Sequence, residues 1–247
     1  MIGRSGNPAL NDKTFERSGQ GSYSGAERMT IEGTVNKTFI TLAVLLGAAF
    51  ATWSMYFKGG DVTPYAIGGA IGGLICALII SFAPRTAPFL VPVYAALEGA
   101  FLGAVSASFE NKYGGITLQA ALITMCVFFA LLVAYKMRVI RASEKFKLGV
   151  FAATAGIALV YLASMVLNMF GITVPYLHDN SLAGIGISLV IVVVAALNLV
   201  LDFDFIEQGA DRGAPKFMEW YGAFGLIVTL VWLYIEIVRL LSKLRSR

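Results

Sequence analysis

Charge is what this sequence has least of. Asp, Glu, Lys and Arg make up 14% of its 247 residues, against about 25% in a soluble globular domain. Cysteine is scarce as well: Cys76 and Cys126 each fall inside an apolar stretch and form no C-x-x-C pattern, which argues against a disulfide framework or a zinc site. There is a single histidine, His178, and it lies between two apolar stretches. That leaves no basis for a Ser–His pair inside a membrane. Phosphate loops are missing too, because the glycines at 68–73 sit in an apolar run with no Lys-Ser/Thr after them. The formal net charge of +4 is carried in tails and loops beside apolar runs. Such placement reads as membrane topology and not as a nucleic-acid footprint, so no nucleic-acid partner is expected.

What is present is apolar length. Hydrophobic residues make up 57% of the chain, and seven apolar stretches stand at 38–57, 65–82, 89–109, 116–135, 148–170, 182–205 and 220–241. At 1.5 Å rise per residue, about 20 residues cross about 30 Å of hydrocarbon. Backbone polar groups must be satisfied internally in lipid, which makes these spans helices. The fold class that follows is all-α, a polytopic membrane bundle of seven transmembrane helices with the lipid bilayer as its partner. Residues 1–37 are polar and are predicted to be a flexible, uncleaved cytoplasmic tail, with the bundle over 38–241 and a basic tail at 242–247.

Orientation comes from the basic residues. Thirteen of the nineteen Lys and Arg fall in the N-terminal tail and the loops on its side, five of them between Lys136 and Lys147. The positive-inside rule puts that side in the cytoplasm. Four of the other six, Arg239, Lys243, Arg245 and Arg247, crowd the C-terminus, which seven full crossings place outside. A seventh segment that re-enters would remove the conflict. Gly68, Gly69, Gly72 and Gly73 form two overlaid G-x-x-x-G patterns, and Gly99 with Gly103 repeats the spacing. Such residues let helix backbones approach closely, here between helices of one bundle.

Carboxylates occur inside three spans, where an ionised group is expensive. Asp202 lies four residues after Asn198, so the two share a helix face that should turn inward. Asp204 points to another side and reads either as a second functional acid or as an interfacial acid in water, beside Glu207 and Asp211. Glu98 is about ten residues from either end of its span; it must be neutral, paired or facing a wet cavity. Glu236 stands three residues before Arg239, the spacing of an interfacial ion pair or of an acid in an inner polar network.

Enzyme readings fail on these residues. A retinal protein needs a lysine inside the last span, and Lys243 lies beyond it. An aspartyl intramembrane protease needs a Gly-x-Gly-Asp pattern, which is missing although Asp202 is an intramembrane acid. We expect no enzyme activity and no cofactor.

Three stretches carry a family resemblance: Leu97-Glu-Gly-Ala-Phe-Leu-Gly103, Leu199-Val-Leu-Asp-Phe-Asp-Phe-Ile206 and Trp232-Leu-Tyr-Ile-Glu-Ile-Val-Arg-Leu-Leu241. With Ser5-Gly-Asn-Pro-Ala-Leu10 and Met29-Thr-Ile-Glu-Gly-Thr34 in the tail, the chain resembles the Bax inhibitor-1 family, in its bacterial branch. The resemblance implies a bundle with the seventh helix central, in the bacterial inner membrane. It also implies a pH-sensitive calcium leak, gated by a proton-sharing pair of acids on the sixth and seventh helices and latched by an arginine after the second. Asp202 matches the sixth-helix acid and Arg85 the latch. The seventh-helix position falls on Thr229, which is not an acid, so the second carboxylate is assigned to Glu98, with Asp204 and Glu236 as alternatives and Asn198 and Thr229 as polar support. Asp202 and Glu98 would then supply oxygen ligands to a transported calcium ion. The other reading is a non-conducting regulator that binds a second membrane protein, such as a quality-control protease.

The orientation can be tested directly. Five positive charges over twelve residues resist translocation. A cysteine at Ser143, in a background lacking Cys76 and Cys126, should be protected from an impermeant thiol reagent added to intact cells, and labelling from outside would reverse the topology.

Overall fold

The computed structural model describes residues 28–171 and 179–246. Most of the 1–37 tail, the loop with His178, and Arg247 lie outside them. Seven helices are long and apolar enough to cross a membrane: α1 (Ile31–Phe57), α2 (Thr63–Phe82), α3 (Ala87–Lys112), α4 (Ile116–Lys136), α5 (Glu144–Met169), α6 (Leu182–Asp211) and α7 (Met218–Arg245). A single 3₁₀ turn, Pro84–Thr86, joins α2 to α3. Helices α1, α3, α5 and α7 start on one face of the bundle, called here the N-face; the other is the C-face.

The helices extend past the apolar stretches because polar caps begin and end them. Thr30 caps α1, its hydroxyl accepting from the Gly33 N–H at 2.9 Å. The helix therefore starts at Ile31, so residues 31–37, read as tail from their polarity, belong to α1. Before it, the Met29 N–H donates to the Ala214 carbonyl at 2.7 Å, tying the residue ahead of the cap to the α6–α7 loop. Ser143 and Ser181 cap α5 and α6 in the same way. Gly115, in the left-handed region at φ 80°, turns the chain into α4. There Glu110 accepts from the N–H groups of Gly115 and Thr117 and replaces a side-chain cap.

Helix α7 is the centre of the bundle. In its apolar window 67% of residues are buried, against 44% in α3 and α6 and 11–17% in the other four. It packs on α1, α3, α4 and α6. It is also one continuous helix of 28 residues, about 42 Å. That length crosses hydrocarbon without re-entry, and it takes in residues 242–245, assigned to a tail by charge alone. Of the C-terminal positive charges that conflicted with a crossing, Arg239, Lys243 and Arg245 are tied to the protein. Lys243 is buried and donates to the Gly184 carbonyl at 3.1 Å and to Ser188 at 2.8 Å. Arg245 donates to the carbonyls of Tyr113 and Gly114 and to Gln119.

The glycine patterns pack inside the bundle. A Cβ on Gly69 would press on the Leu97 carbonyl oxygen of α3 at 2.5 Å, and one on Gly73 would meet the Glu98 carboxylate at 2.8 Å. On α3 itself, Cβ atoms at Gly99 and Gly103 would collide with the carbonyl oxygens of Leu45 and Ala49 on α1. Helix α3 is thus clamped between α1 and α2 at backbone distance. Gly68, by contrast, faces open space. Outward from this framework Phe50, Phe82, Phe89, Leu118 and Leu182 are exposed, the apolar surface that a lipid solvent accepts.

Gly103→Leu should overpack the α1–α3 seam and cost about 1–3 kcal/mol, read as a lower thermal midpoint in detergent. Gly68→Leu should stay within about 0.5 kcal/mol. Equal losses at both positions would show that the close approach at Gly103 is not what holds α1.

Candidate functional site

The polar interior is assembled at the seam of α5, α6 and α7. Along α5 the residues Lys147, Thr154 and Tyr161 recur every seven positions, which puts them on one stripe, about 10 Å apart. Each meets a different polar partner. Nearest the N-face, Lys147 forms an ion pair with Asp204 of α6 at 2.7 Å. Midway, Asn198 of α6 donates to the Thr154 hydroxyl at 2.8 Å and to the Val194 carbonyl at 2.9 Å. Towards the C-face, the Tyr161 hydroxyl donates to both oxygens of Glu236 on α7, at 3.0 Å each.

Asp202 is fully buried, one turn beyond Asn198, which is buried with it. Helix α6 runs nine residues further, to Asp211, which sets the Asp202 carboxylate about 14 Å from the end of the helix. Asp204 is only partly exposed: besides Lys147 it accepts from Gln208 and, at 3.4 Å, from Tyr135 of α4. It is therefore a paired acid and not an interfacial one left in water. Next to it Glu207 accepts from Tyr135 and from both arms of Arg138, the closer at 2.5 Å. Arg138 has φ 58° at the end of α4. A left-handed conformation costs a non-glycine residue about 1–2 kcal/mol, so the double contact with Glu207 holds the α4–α5 loop where it would otherwise relax.

Glu236 is buried, its side chain 2% exposed, while Arg239, 3.0 Å away, is 42% exposed. The guanidinium also lies over the Tyr161 ring, 5.4 Å from its centroid, and donates to the hydroxyl at 3.2 Å. This is more than an interfacial ion pair: the cluster runs from the C-face surface into the bundle. Between it and the Asn198–Thr154 bond, α5 and α6 separate around an apolar groove of about 620 Å³ that opens on the outer surface of the bundle, lined by Ala153, Tyr161, Ile191 and Val194 and by the exposed Val160 and Val190. A Cβ on Gly156 or Gly186 would touch nothing, so small residues leave this space open.

Glu98, the first choice for a partner of Asp202, is elsewhere. Its carboxylate lies against Gly73 of α2, and α3 packs on α1, α2 and α7, whereas α6 packs chiefly on α7, α4 and α5. Depth in the span ranked Glu98 highly, but depth says nothing about which side of the helix faces α6. The Glu98–Asp202 pair is not formed in this structure, and no group of three or more His, Cys, Asp or Glu side chains placed to hold a metal occurs among the described residues. Arg85 is exposed in the turn before α3, and no ion pair joins it to a described acid. Thr229 is buried in α7, two turns before Glu236.

Glu219, at the start of α7, was not singled out from the sequence. It is fully buried, accepts from the N–H and hydroxyl of Thr30 and pairs with Lys37. An acid in the first turn of a helix is an ordinary cap signal, and the partners that bury it, Thr30 and Lys37, lie more than 180 residues away. The α5 stripe had a readable signal in its seven-residue spacing.

In comparisons with known proteins, a family model described as Bax inhibitor 1 like matches residues 7–246. No curated protein and no solved structure matches the chain.

Asp204→Asn should leave the buried Lys147 ammonium with only the exposed Glu144, 3.6 Å away, as counter-charge and cost up to about 3 kcal/mol of stability. Adding Lys147→Met should recover part of that loss, as coupled sites do. Thermal melts of the two single variants and the double variant measure the coupling, and strict additivity would mean that the ion pair does not hold α5 to α6.

Proposed function

The chain belongs to the family described as Bax inhibitor 1 like, matched over residues 7–246, and from that premise we propose that it is a pH-sensitive cation leak of the bacterial inner membrane, with calcium as the cation. The observation that carries the reading is the carboxylate of Asp202, fully buried inside a membrane-spanning helix one turn beyond the buried Asn198. A membrane chain keeps an acid at such depth at a cost, and intramembrane acids mark ion and proton pathways. Carboxylate oxygens suit a hard divalent cation, and acidic constrictions select cations. Protonation removes the charge of Asp202, and with it both the attraction for a cation and the repulsion from other buried acids. In this reading Asp204 and Glu236, in ion pairs with Lys147 and Arg239, hold helices in place, and the fully buried Asp202 is the titrating gate. The N-face, which carries the α4–α5 loop and the chain start, is the cytoplasmic side.

The second reading, a membrane regulator that does not conduct, draws on the α4–α5 loop, where Lys136, Arg141 and Lys145 are exposed and form no ion pair with a described residue. Such a basic patch suits an acidic face on another protein or anionic lipid headgroups.

Protein reconstituted in sealed vesicles with an entrapped calcium dye should admit calcium at a rate that changes with pH. Asp202→Asn, which keeps size and removes the titratable charge, should flatten that pH profile while the protein still folds in detergent. No flux at any pH from folded protein would leave only the regulator reading. An unchanged profile in Asp202→Asn would move the sensor to another residue.

A further inference from the structure

The α4–α5 loop, residues 137–143, closes the N-face between two spans. Helix α4 ends in a Schellman turn: the Arg138 N–H donates to the Tyr135 carbonyl and the Val139 N–H to the Ala134 carbonyl, each at 2.9 Å, with Arg138 itself at φ 58°. Glycine commonly fills that left-handed position, and here an arginine does, held by Glu207. The turn sets what the loop presents. Met137 and Val139, just past the end of α4, are 69% and 72% exposed, and Leu148 near the start of α5 is 61% exposed. Among them Lys136, Arg141 and Lys145 are exposed and form no ion pair with a described residue. The acids nearby are already engaged, Asp204 and Glu144 with Lys147 and Glu207 with Arg138.

We propose that this loop is a docking surface for anionic phospholipids, with Lys136, Arg141 and Lys145 taking headgroup phosphates and Met137 and Val139 set between the headgroups. Apolar side chains past the end of a span face either water or the lipid interface, and the interface is the cheaper place. Basic groups beside them complement the negative surface of an anionic leaflet. The Schellman turn folds the chain back on α4, which keeps the loop at headgroup level. From there it leads into α5, whose apolar window has the smallest buried share of the seven, 11%. A leaflet that grips the loop therefore steadies the helix with the least packing of its own. The proposal needs only the seven spans, so it stands or falls apart from the leak reading.

The test reads which lipid lies against the loop. Full-length protein with Val139→Cys, in a background lacking Cys76 and Cys126, is labelled with bimane and reconstituted in phosphatidylcholine vesicles. Spin-labelled phosphatidylglycerol or, at the same mole fraction, spin-labelled phosphatidylcholine then serves as quencher. The anionic lipid should quench more strongly, and the mole fraction of it needed for half-quenching should rise up to about fivefold with each of Lys136→Gln, Arg141→Gln and Lys145→Gln. Salt at about 1 M, where the Debye length shrinks to about 3 Å, should remove the preference with no basic residue changed, so the test does not depend on those variants folding. A bimane at Ile71→Cys, exposed in the middle of α2, should show no preference. Equal quenching by the two lipids at Val139 overturns the proposal, as does a preference that survives both salt and the three substitutions or that appears equally at Ile71. A bimane at Val139 that neither lipid quenches also overturns it, and leaves an acidic protein face as the partner of the patch.

Discussion

Hydrocarbon offers a polar group no partner, so every charge that enters this bundle has to find one inside the protein, and α7 is where most of them do. Glu219 at its start holds Thr30 and Lys37 of the α1 terminus. One wall further along, Tyr234 shares a 2.8 Å hydrogen bond with Ser106 of α3. Glu236 takes Tyr161 of α5, Lys243 reaches α6, and Arg245 reaches the α3–α4 turn. A helix that fastens so many others by polar contacts has to be central, because its polar side chains leave it on all sides. The apolar surface falls mostly to α1, α2, α4 and α5, with parts of α3 and α6, such as Phe89 and Leu182, beside them.

The two halves of the bundle are held by different means. Around α3 the contacts are van der Waals, at backbone distance, where Gly69, Gly73, Gly99 and Gly103 bring α1 and α2 against it. At α5 there is little such packing, and three polar contacts two turns apart take its place. The first half is rigid in the sense that any added atom meets backbone. In the second, glycines at 156 and 186 face empty space. Helices part more readily in the half whose contacts are polar and can be exchanged for water.

Sequence periodicity was enough for the seven spans, for the inward face shared by Asn198 and Asp202, and for the glycine seams, because each depends on spacing within one helix. Helix ends were less legible. Ile31 to Lys37 read as a polar tail, yet Thr30 caps them and Glu219 buries the cap, and that acid is 189 residues away. The same distance problem hid the partners of Asp204 and Glu236. Their charges were evident, but Lys147 and Tyr161 stand on another helix, and no local spacing ties one helix to another. Glu98 shows the reverse error: its depth was read correctly, while its direction, towards Gly73, depended on how α2 packs.

The polar attachment of α5 also sets the energy scale of any change there. An interhelical hydrogen bond in a membrane contributes about 0.6 kcal/mol on average and up to about 1.7, so the three contacts at Lys147, Thr154 and Tyr161 together amount to only a few times RT. A change of about 1.4 kcal/mol shifts an equilibrium tenfold. Loss of one carboxylate charge at this seam is therefore comparable to the whole attachment of the helix. The same change at the glycine seam of α3 would have nothing to act on. The seam where Asp204 and Glu236 hold α5 is consequently the part of the bundle most sensitive to the loss of a single polar contact.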